Sequence, residues 1–375
     1  MYMKPTVKRY VSLDILRGLT VAMMIVVNNP GSWSKMYPML SHAKWNGCTP
    51  CDLVFPFFLF CVGASMAFAL AKYESLNAGA LKKILVRGGL LYLVGLLLMA
   101  FPFYPSRLDP SMSFWENWLE WAGGLRLVGV LPRIALCYIL GSVLALWLKS
   151  FKKIACAIGV LCTLHIGALL LFGGPEGALT LEGNFAGKLD IAVFGENHIY
   201  DGYGIPFDPE GLLGVLTGTC TVLIGYLMGR SIKNSGSEQS QAGVSARTFV
   251  VSAALLLAGL ALSIVIPINK PLWSVSYVFY AAGWASFVLA LLIYLIDYKG
   301  WEKPFFPFKA LGMNALALFV LSGLLMKINW RYIDWDYTAV FGSTEFLSLV
   351  FALLYMLLHL VIAVIMYKKK IFIKL

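Results

Sequence analysis

The chain has 375 residues, is 59% hydrophobic and only 13% charged, and has a mean hydropathy of +0.77. Soluble domains average roughly 45–50% apolar and about 25% charged residues. This composition therefore excludes an ordinary soluble domain and predicts an all-α, polytopic membrane bundle of about ten helices. The net charge of +11 does not mark a nucleic-acid binder, because Lys and Arg gather at alternate helix ends, as membrane topology requires.

The N-terminal stretch MYMKPTVKRYVSLDILRG is basic and then apolar. The apolar run that follows ends in Asn-Asn-Pro and not in a small-residue cleavage site, so it reads as an uncleaved helix. Runs long and apolar enough to span a bilayer are expected at Leu13–Val27, Leu53–Ala71, Ile84–Phe103, Val128–Leu148 and Ile154–Phe172. Five more are expected at Gly211–Gly229, Thr248–Ile266, Val275–Ile296, Ala310–Met326 and Phe346–Tyr367. The spans follow one another closely, which predicts one membrane domain over residues 1–375. Of the 30 Lys and Arg, 21 flank the spans on the side of both termini, 8 lie on the other side, and Arg133 lies inside the fourth span. The positive-inside rule then makes both termini cytoplasmic. The connection 173–210 becomes a long periplasmic loop, and residues 233–247 (KNSGSEQSQAGVSAR) a flexible cytoplasmic loop. The absence of any Asn-x-Ser/Thr sequon favours a bacterial inner membrane over a secretory one.

Chemistry concentrates in the first outward connection, Asn28–Asp52 (NNPGSWSKMYPMLSHAKWNGCTPCD). His42 suits a general base near neutral pH. Asp52, ten residues on, either orients the imidazole or caps the second helix. Asn28 either donates a hydrogen bond to a carbonyl or its oxyanion or is a polar group at the interface. Arg133 is an intramembrane charge, expected to pair with Asp52, Asp208 or Glu210 or to contact substrate. Asp208 and Glu210, in PFDPEG, either recognise a cationic sugar amine or cap the sixth span. Trp33, Tyr37, Trp45 and Trp273 offer a sugar-stacking surface, with the interfacial aromatic belt as the alternative; Asn46 lies beside Trp45. Near the cytoplasmic face, Asp14 and Arg17 form either a helical i,i+3 pair or a holder for a nucleotide phosphate, and Asn314 is similarly placed. Cys48-Thr49-Pro50-Cys51 has redox-motif spacing without the soluble context such a motif needs. With His42 it offers only three zinc ligands, one short of a structural site, so no metal is expected. His165, His198 and His359 read as structural.

Taken together, RYVSLDILRG, VVNNPGS, HAKWNGCTPCDLVFPFFLFCVGASM, GVLPRIAL, PFDPEGLLG, PINKPLWSVSYVF and LGMNAL resemble the heparan-α-glucosaminide N-acetyltransferase family and its bacterial NagX-type relatives, in order along nearly the whole chain. The resemblance implies an integral membrane enzyme that takes acetyl-CoA from the cytoplasm and acetylates a terminal glucosamine on the opposite side, and it implies a homodimer. His42 matches the family's catalytic His, Asn28 its active-site Asn, and Asp52 the acid opening the next helix. Asp208 and Glu210 match the PFDPEG acids. The chain differs from the animal enzymes in lacking their extra N-terminal luminal region, in its CTPC segment and in having no sequons. The expected acceptor is therefore free glucosamine or a small amino sugar. An amino-sugar transporter and an O-acetyltransferase of envelope polysaccharide are the competing classes.

Overall fold

The computed structural model describes residues 10–105, 108–235, 240–333 and 335–373. The basic flank of Lys4, Lys8 and Arg9 lies outside them, as do residues 236–239 of the expected 233–247 loop. Among the described residues the fold is all-α. Extended backbone pairs only at one isolated parallel bridge, Gly47 with Asn269.

Among the described residues ten helices are long and apolar enough to cross a membrane. They are α1 (Val11–Asn28), α2 (Pro50–Ala69), α3 (Ala78–Ala100), α4 (Val130–Leu148) and α5 (Phe151–Phe172). After these come α6 (Gly214–Asn234), α7 (Gln241–Ser263), α8 (Val275–Leu292), α9 (Ala315–Ile328, its span continued through Asn329–Ile333) and α10 (Glu345–Lys368). The chain is an integral membrane protein. Five helices, α1, α2, α4, α6 and α8, form an inner layer, and α3, α5, α7, α9 and α10 surround it with mostly exposed faces. Leu85, Leu93, Leu164, Leu257 and Leu357 on that outer layer are all exposed. Such a surface would be a fault in water and is what lipid requires.

Lipid tails are as apolar as leucine, so helices associate through close packing and not through a hydrophobic drive. The inner layer is built that way. A Cβ on Gly63 of α2 would lie 1.9 Å from the Val222 carbonyl of α6, and one on Gly225 would lie 2.2 Å from the Phe60 carbonyl. The backbones of α2 and α6 thus meet along a seam of missing side chains. A second seam joins α1 to the short helix Phe306–Met313, where Gly18 and Gly312 meet opposing carbonyls in the same way.

The expected spans coincide with these helices to within a few residues, with two differences. The ninth, expected unbroken over Ala310–Met326, is interrupted at Asn314, which separates Phe306–Met313 from α9. The expected 233–247 loop is much shorter, because α6 runs through Asn234 and α7 begins at Gln241, capped by the Ser240 hydroxyl. The 173–210 connection carries a helix of its own, Phe185–Phe194. Ten crossings return the chain to its starting face. The connections 29–49, 101–105 with 108–129, 173–213, 264–274 and 335–344 therefore gather at the opposite face, where the site lies.

Candidate active site

The site grows from the N-terminus of α2. Thr49 is the N-cap and Pro50 the first helical residue. Proline is favoured there because its missing N–H would be unbonded anyway. Asp52, one turn in, accepts the Thr49 N–H at 2.9 Å and the Ala43 N–H at 3.1 Å on Oδ2. Its other oxygen, Oδ1, lies 2.7 Å from His42 Nδ1. The carboxylate therefore caps the helix and fixes the imidazole with separate atoms. The alternatives of capping and orientation are both realised. The Asp52 side chain is 1% exposed and that of His42 49% exposed, so only the imidazole can reach a substrate. A carboxylate only accepts, so Nδ1 is the donor to Asp52, and in the neutral imidazole Nε2 then carries the lone pair. Tyr277 of α8 donates its hydroxyl to the Asp52 backbone carbonyl at 2.5 Å and holds the turn from below.

Facing Nε2 at 3.4 Å is the Nζ of Lys270. It arrives on the 264–274 connection, which is tied to the His42 segment by the Gly47 N–H to the Ile268 carbonyl (2.7 Å) and by Asn269 Nδ2 to Asn46 Oδ1 (3.1 Å). Cys51 Sγ lies 3.3 Å from His42 Nδ1. Cys48 and Cys51 are both free thiols. Burial first, and then the Asp52 charge, push the Cys48 thiol up to about 12 against the pull of Lys270, the reverse of a reactive redox cysteine. Among the described residues no group of His, Cys, Asp and Glu is arranged to hold a metal ion.

A second cluster stands beside the first. Arg126 donates from Nε and Nη2 to the two oxygens of Asp208 at 2.7 and 2.6 Å, and from Nη2 to Glu210 at 2.6 Å. The backbone around Arg126 is pinned on both sides by His198: Leu125 O lies 2.7 Å from His198 Nδ1, and the Leu127 N–H reaches the His198 carbonyl. Burial alone would raise the Glu210 carboxyl, but Arg126, Lys270 and Arg133 hold it below its ordinary value. Asp208 is 2% exposed and also accepts the Tyr200 and Glu210 N–H groups. Asp208 and Glu210 thus share the Arg126 guanidinium in a buried ion cluster.

Arg133 is not paired with Asp52, Asp208 or Glu210 as expected. Its guanidinium donates to the Pro209 and Gly211 carbonyls, both at 2.8 Å, and stacks on the Trp273 ring at 5.1 Å. It staples the turn that carries the acids and touches no open space. Trp273 is 0% exposed and bonds Thr221 through its indole N–H, so it offers no stacking face to a ligand. Trp45 is partly buried against the 173–213 connection: its indole N–H donates to the Leu179 carbonyl at 2.9 Å, and its ring meets Tyr203 and Phe207 edge-on. Asn46 is exposed and bonded to Asn269. Trp33 is 62% exposed and apart from this wall. Asn28 is exposed at the end of α1 and makes no hydrogen bond among the described residues, whereas its neighbour Asn29 is buried and bonds the Ile25 carbonyl.

On the other face, a cavity of about 600 Å³ opens between α1, α2, α3, α4 and α9. Arg17, Ser65 and Arg87 mark its polar end, and Phe58, Ile134 and Tyr138 are among its apolar walls. Arg17 is braced by Asp14 (2.8 Å), the Gly312 carbonyl and the Ser65 hydroxyl. The i,i+3 pair therefore exists and presents Arg17 to the cavity, with Asp14 as its counter-ion. Asn314 does not line the cavity. Both ends of its amide are used by the C-terminal segment, Nδ2 bonding the Ile371 carbonyl and Oδ1 the Ile373 N–H. Phe58 lies six residues beyond Asp52 on α2, about 9 Å along the axis at ~1.5 Å per residue.

Residues 9–172 match the sequence model of the heparan-alpha-glucosaminide N-acetyltransferase catalytic family. That match contains α1 to α5 and both halves of the His42–Asp52 pair. Over 96% of its length the chain is also similar to two curated proteins named heparan-alpha-glucosaminide N-acetyltransferase, at 27% identity to that of Mus musculus and 29% to that of Homo sapiens. It spans about 60% of the length of the mouse protein and 59% of the human one.

Three groups at these sites were not singled out from the sequence: Arg126, Lys270 and Arg87. One signal was available for the first two. On a face carrying only 8 of the 30 Lys and Arg, a basic residue in a tight connection serves no topological purpose and calls for another reason.

Proposed function

We propose that this chain is a membrane acetyltransferase that moves an acetyl group from acetyl-CoA to the amine of glucosamine or a small glucosaminide. The reading rests above all on His42, held by Asp52 with Nε2 presented to the open face. The names of the relatives supply the acetyl group and the glucosaminide.

The Lys and Arg bias supports a reading in which the cavity with Arg17 and Arg87 opens toward the cytoplasm, where acetyl-CoA is made, and His42 faces the periplasm. The two arginines receive the phosphates of the nucleotide. The pantetheine arm lies along the apolar walls toward Phe58, and the thioester reaches the His42 end. His42 Nε2 takes the proton of the acceptor amine as its nitrogen attacks the thioester carbon. A tetrahedral adduct forms, the C–S bond breaks, and the CoA thiolate leaves with the proton passed on from His42. Trp45, Tyr203 and Glu210 bound the acceptor side.

The deciding experiment is CoA release by purified protein given acetyl-CoA and glucosamine, wild type beside His42→Ala. Release that depends on glucosamine and is lost in the variant is expected. No release with glucosamine or other amino sugars would overturn the reading in favour of an amino-sugar transporter, which vesicle uptake without acetyl-CoA would then reveal.

A further inference from the structure

The imidazole nitrogen that must accept the amine proton faces one ionic group, and that group has no partner of its own kind. Lys270 is nine-tenths buried, yet among the described residues no carboxylate lies within ion-pair distance of its Nζ. Buried lysines are costly and normally paired. Its nearest polar neighbour is His42 Nε2 at 3.4 Å, and its charge is felt by Asp52 on one side and by Glu210 on the other. The connection that carries it is rigid. Asn269 bonds the Leu272 N–H, the Ser274 hydroxyl and Asn46, and the Trp273 N–H closes a turn onto the Lys270 carbonyl at 2.9 Å. Trp273 takes a left-handed φ of 52° to make that turn, and its fully buried ring locks it.

We propose that Lys270 is a catalytic residue that binds the thioester carbonyl oxygen and stabilises the oxyanion formed from it; this rests on the acetyltransferase reading above. As the amine nitrogen bonds to the carbonyl carbon, the π pair moves onto oxygen and the amine proton passes to Nε2. A cation beside Nε2 meets the new negative charge as it appears. When the adduct collapses, that pair re-forms the C=O bond and the sulfur leaves. The groups facing the imidazole are Asp52 and Cys51 from α2 and Lys270 from the 264–274 connection, with Glu210 beyond Lys270. Lys270 is the one cation among them. Asn28, the oxyanion donor expected from the sequence, is exposed and unbonded.

The test compares wild type with Lys270→Met, Lys270→Gln and Lys270→Arg using acetyl-CoA and glucosamine, with melting temperature and CoA affinity measured on each. K270M and K270Q are expected to lower kcat by roughly 10²–10³-fold, the range for loss of an oxyanion donor, with CoA affinity kept within about threefold. K270R restores part of the loss. In K270Q the loss falls on kcat and not on KM, as expected for an interaction made only in the transition state; a merely structural lysine would lower the melting temperature and leave the kcat of the folded enzyme in place. If K270M does not assemble, K270Q against K270R decides. A kcat within threefold of wild type in K270Q, or a loss confined to KM, overturns the inference. Wild-type protein that releases no CoA with any amino sugar overturns the acetyltransferase reading and this inference with it.

Discussion

Asp52→Asn separates the two jobs of that side chain. In the wild type, Oδ2 accepts the Thr49 and Ala43 N–H groups while Oδ1 faces His42 Nδ1. Asparagine has one acceptor and one donor end. Two backbone N–H groups demand the acceptor, so the amide NH₂ must turn toward His42. It then donates to Nδ1, which forces the proton onto Nε2, and an Nε2 that already carries a proton cannot take one from the amine. The helix cap survives, so stability should fall by only about 1 kcal/mol. The rate should fall by roughly 10²–10⁴-fold, the contribution of a general base, equivalent to about 2.7–5.4 kcal/mol of barrier at 1.36 kcal/mol per decade. CoA release under saturating acetyl-CoA and glucosamine measures this, with thermal unfolding in detergent as the control. The double variant D52N/H42A should be no slower than H42A alone, since the pair acts as a unit. A D52N enzyme within threefold of wild-type kcat would refute the assignment of the proton to Nε2.

Other outcomes follow from the same geometry. Arg126→Met strands Asp208 and Glu210 as buried charges and should destabilise the fold by about 3–5 kcal/mol; an unchanged melting temperature would count against the cluster as described. Asp190 is fully buried, accepts the Leu212 N–H through Oδ1, and burial pushes its carboxyl from 3.8 up to about 7. The folded state then holds this proton more tightly than the unfolded chain, so its contribution is complete below about pH 4 and lost as pH rises through about 7. Asp190→Asn should flatten the decline of melting temperature between about pH 4 and pH 7, and equal slopes in the two proteins would remove Asp190 from the account. Gly63→Leu places a side chain where a carbonyl lies 1.9 Å from the Cβ position; it should cost about 1–3 kcal/mol or more, read as a lower yield of folded protein in detergent.

The architecture was legible because lipid imposes a simple code: every expected span corresponds to a helix, and Lys and Arg mark their ends. The His42–Asp52 pair was legible because both residues sit in one connection and Thr-Pro-x-Asp is a local helix-start signal. What failed to show was whatever depends on distant contacts. Arg126 meets its acids across 82 residues and Lys270 meets His42 across 228. Nothing local in GLRLVG or INKPLWS signals these partners. Asn28 and Asn29 are adjacent and chemically alike; only the end of α1 decides that Asn29 turns inward. Trp273 looks like a belt residue by its position after a span, and its burial against Arg133 comes from the fold of the following turn. Asn314 reads as a polar residue inside a helix, whereas it ends one helix and clasps the C-terminal segment.

The tie between Gly47 and the 264–274 connection also bears on the birth of the protein. α1 and α2 suffice to bring His42 to Asp52, so that pair can form as soon as the second helix enters the bilayer. Lys270 is made 228 residues later than His42, roughly 10–45 s at ~5–20 residues per second of synthesis. Until then the imidazole stands without its cation and the His42 segment without its backbone clamp. A nascent or truncated chain ending before α8 would therefore carry the His42–Asp52 pair without Lys270, and the cluster would close only when the last third of the chain is laid down.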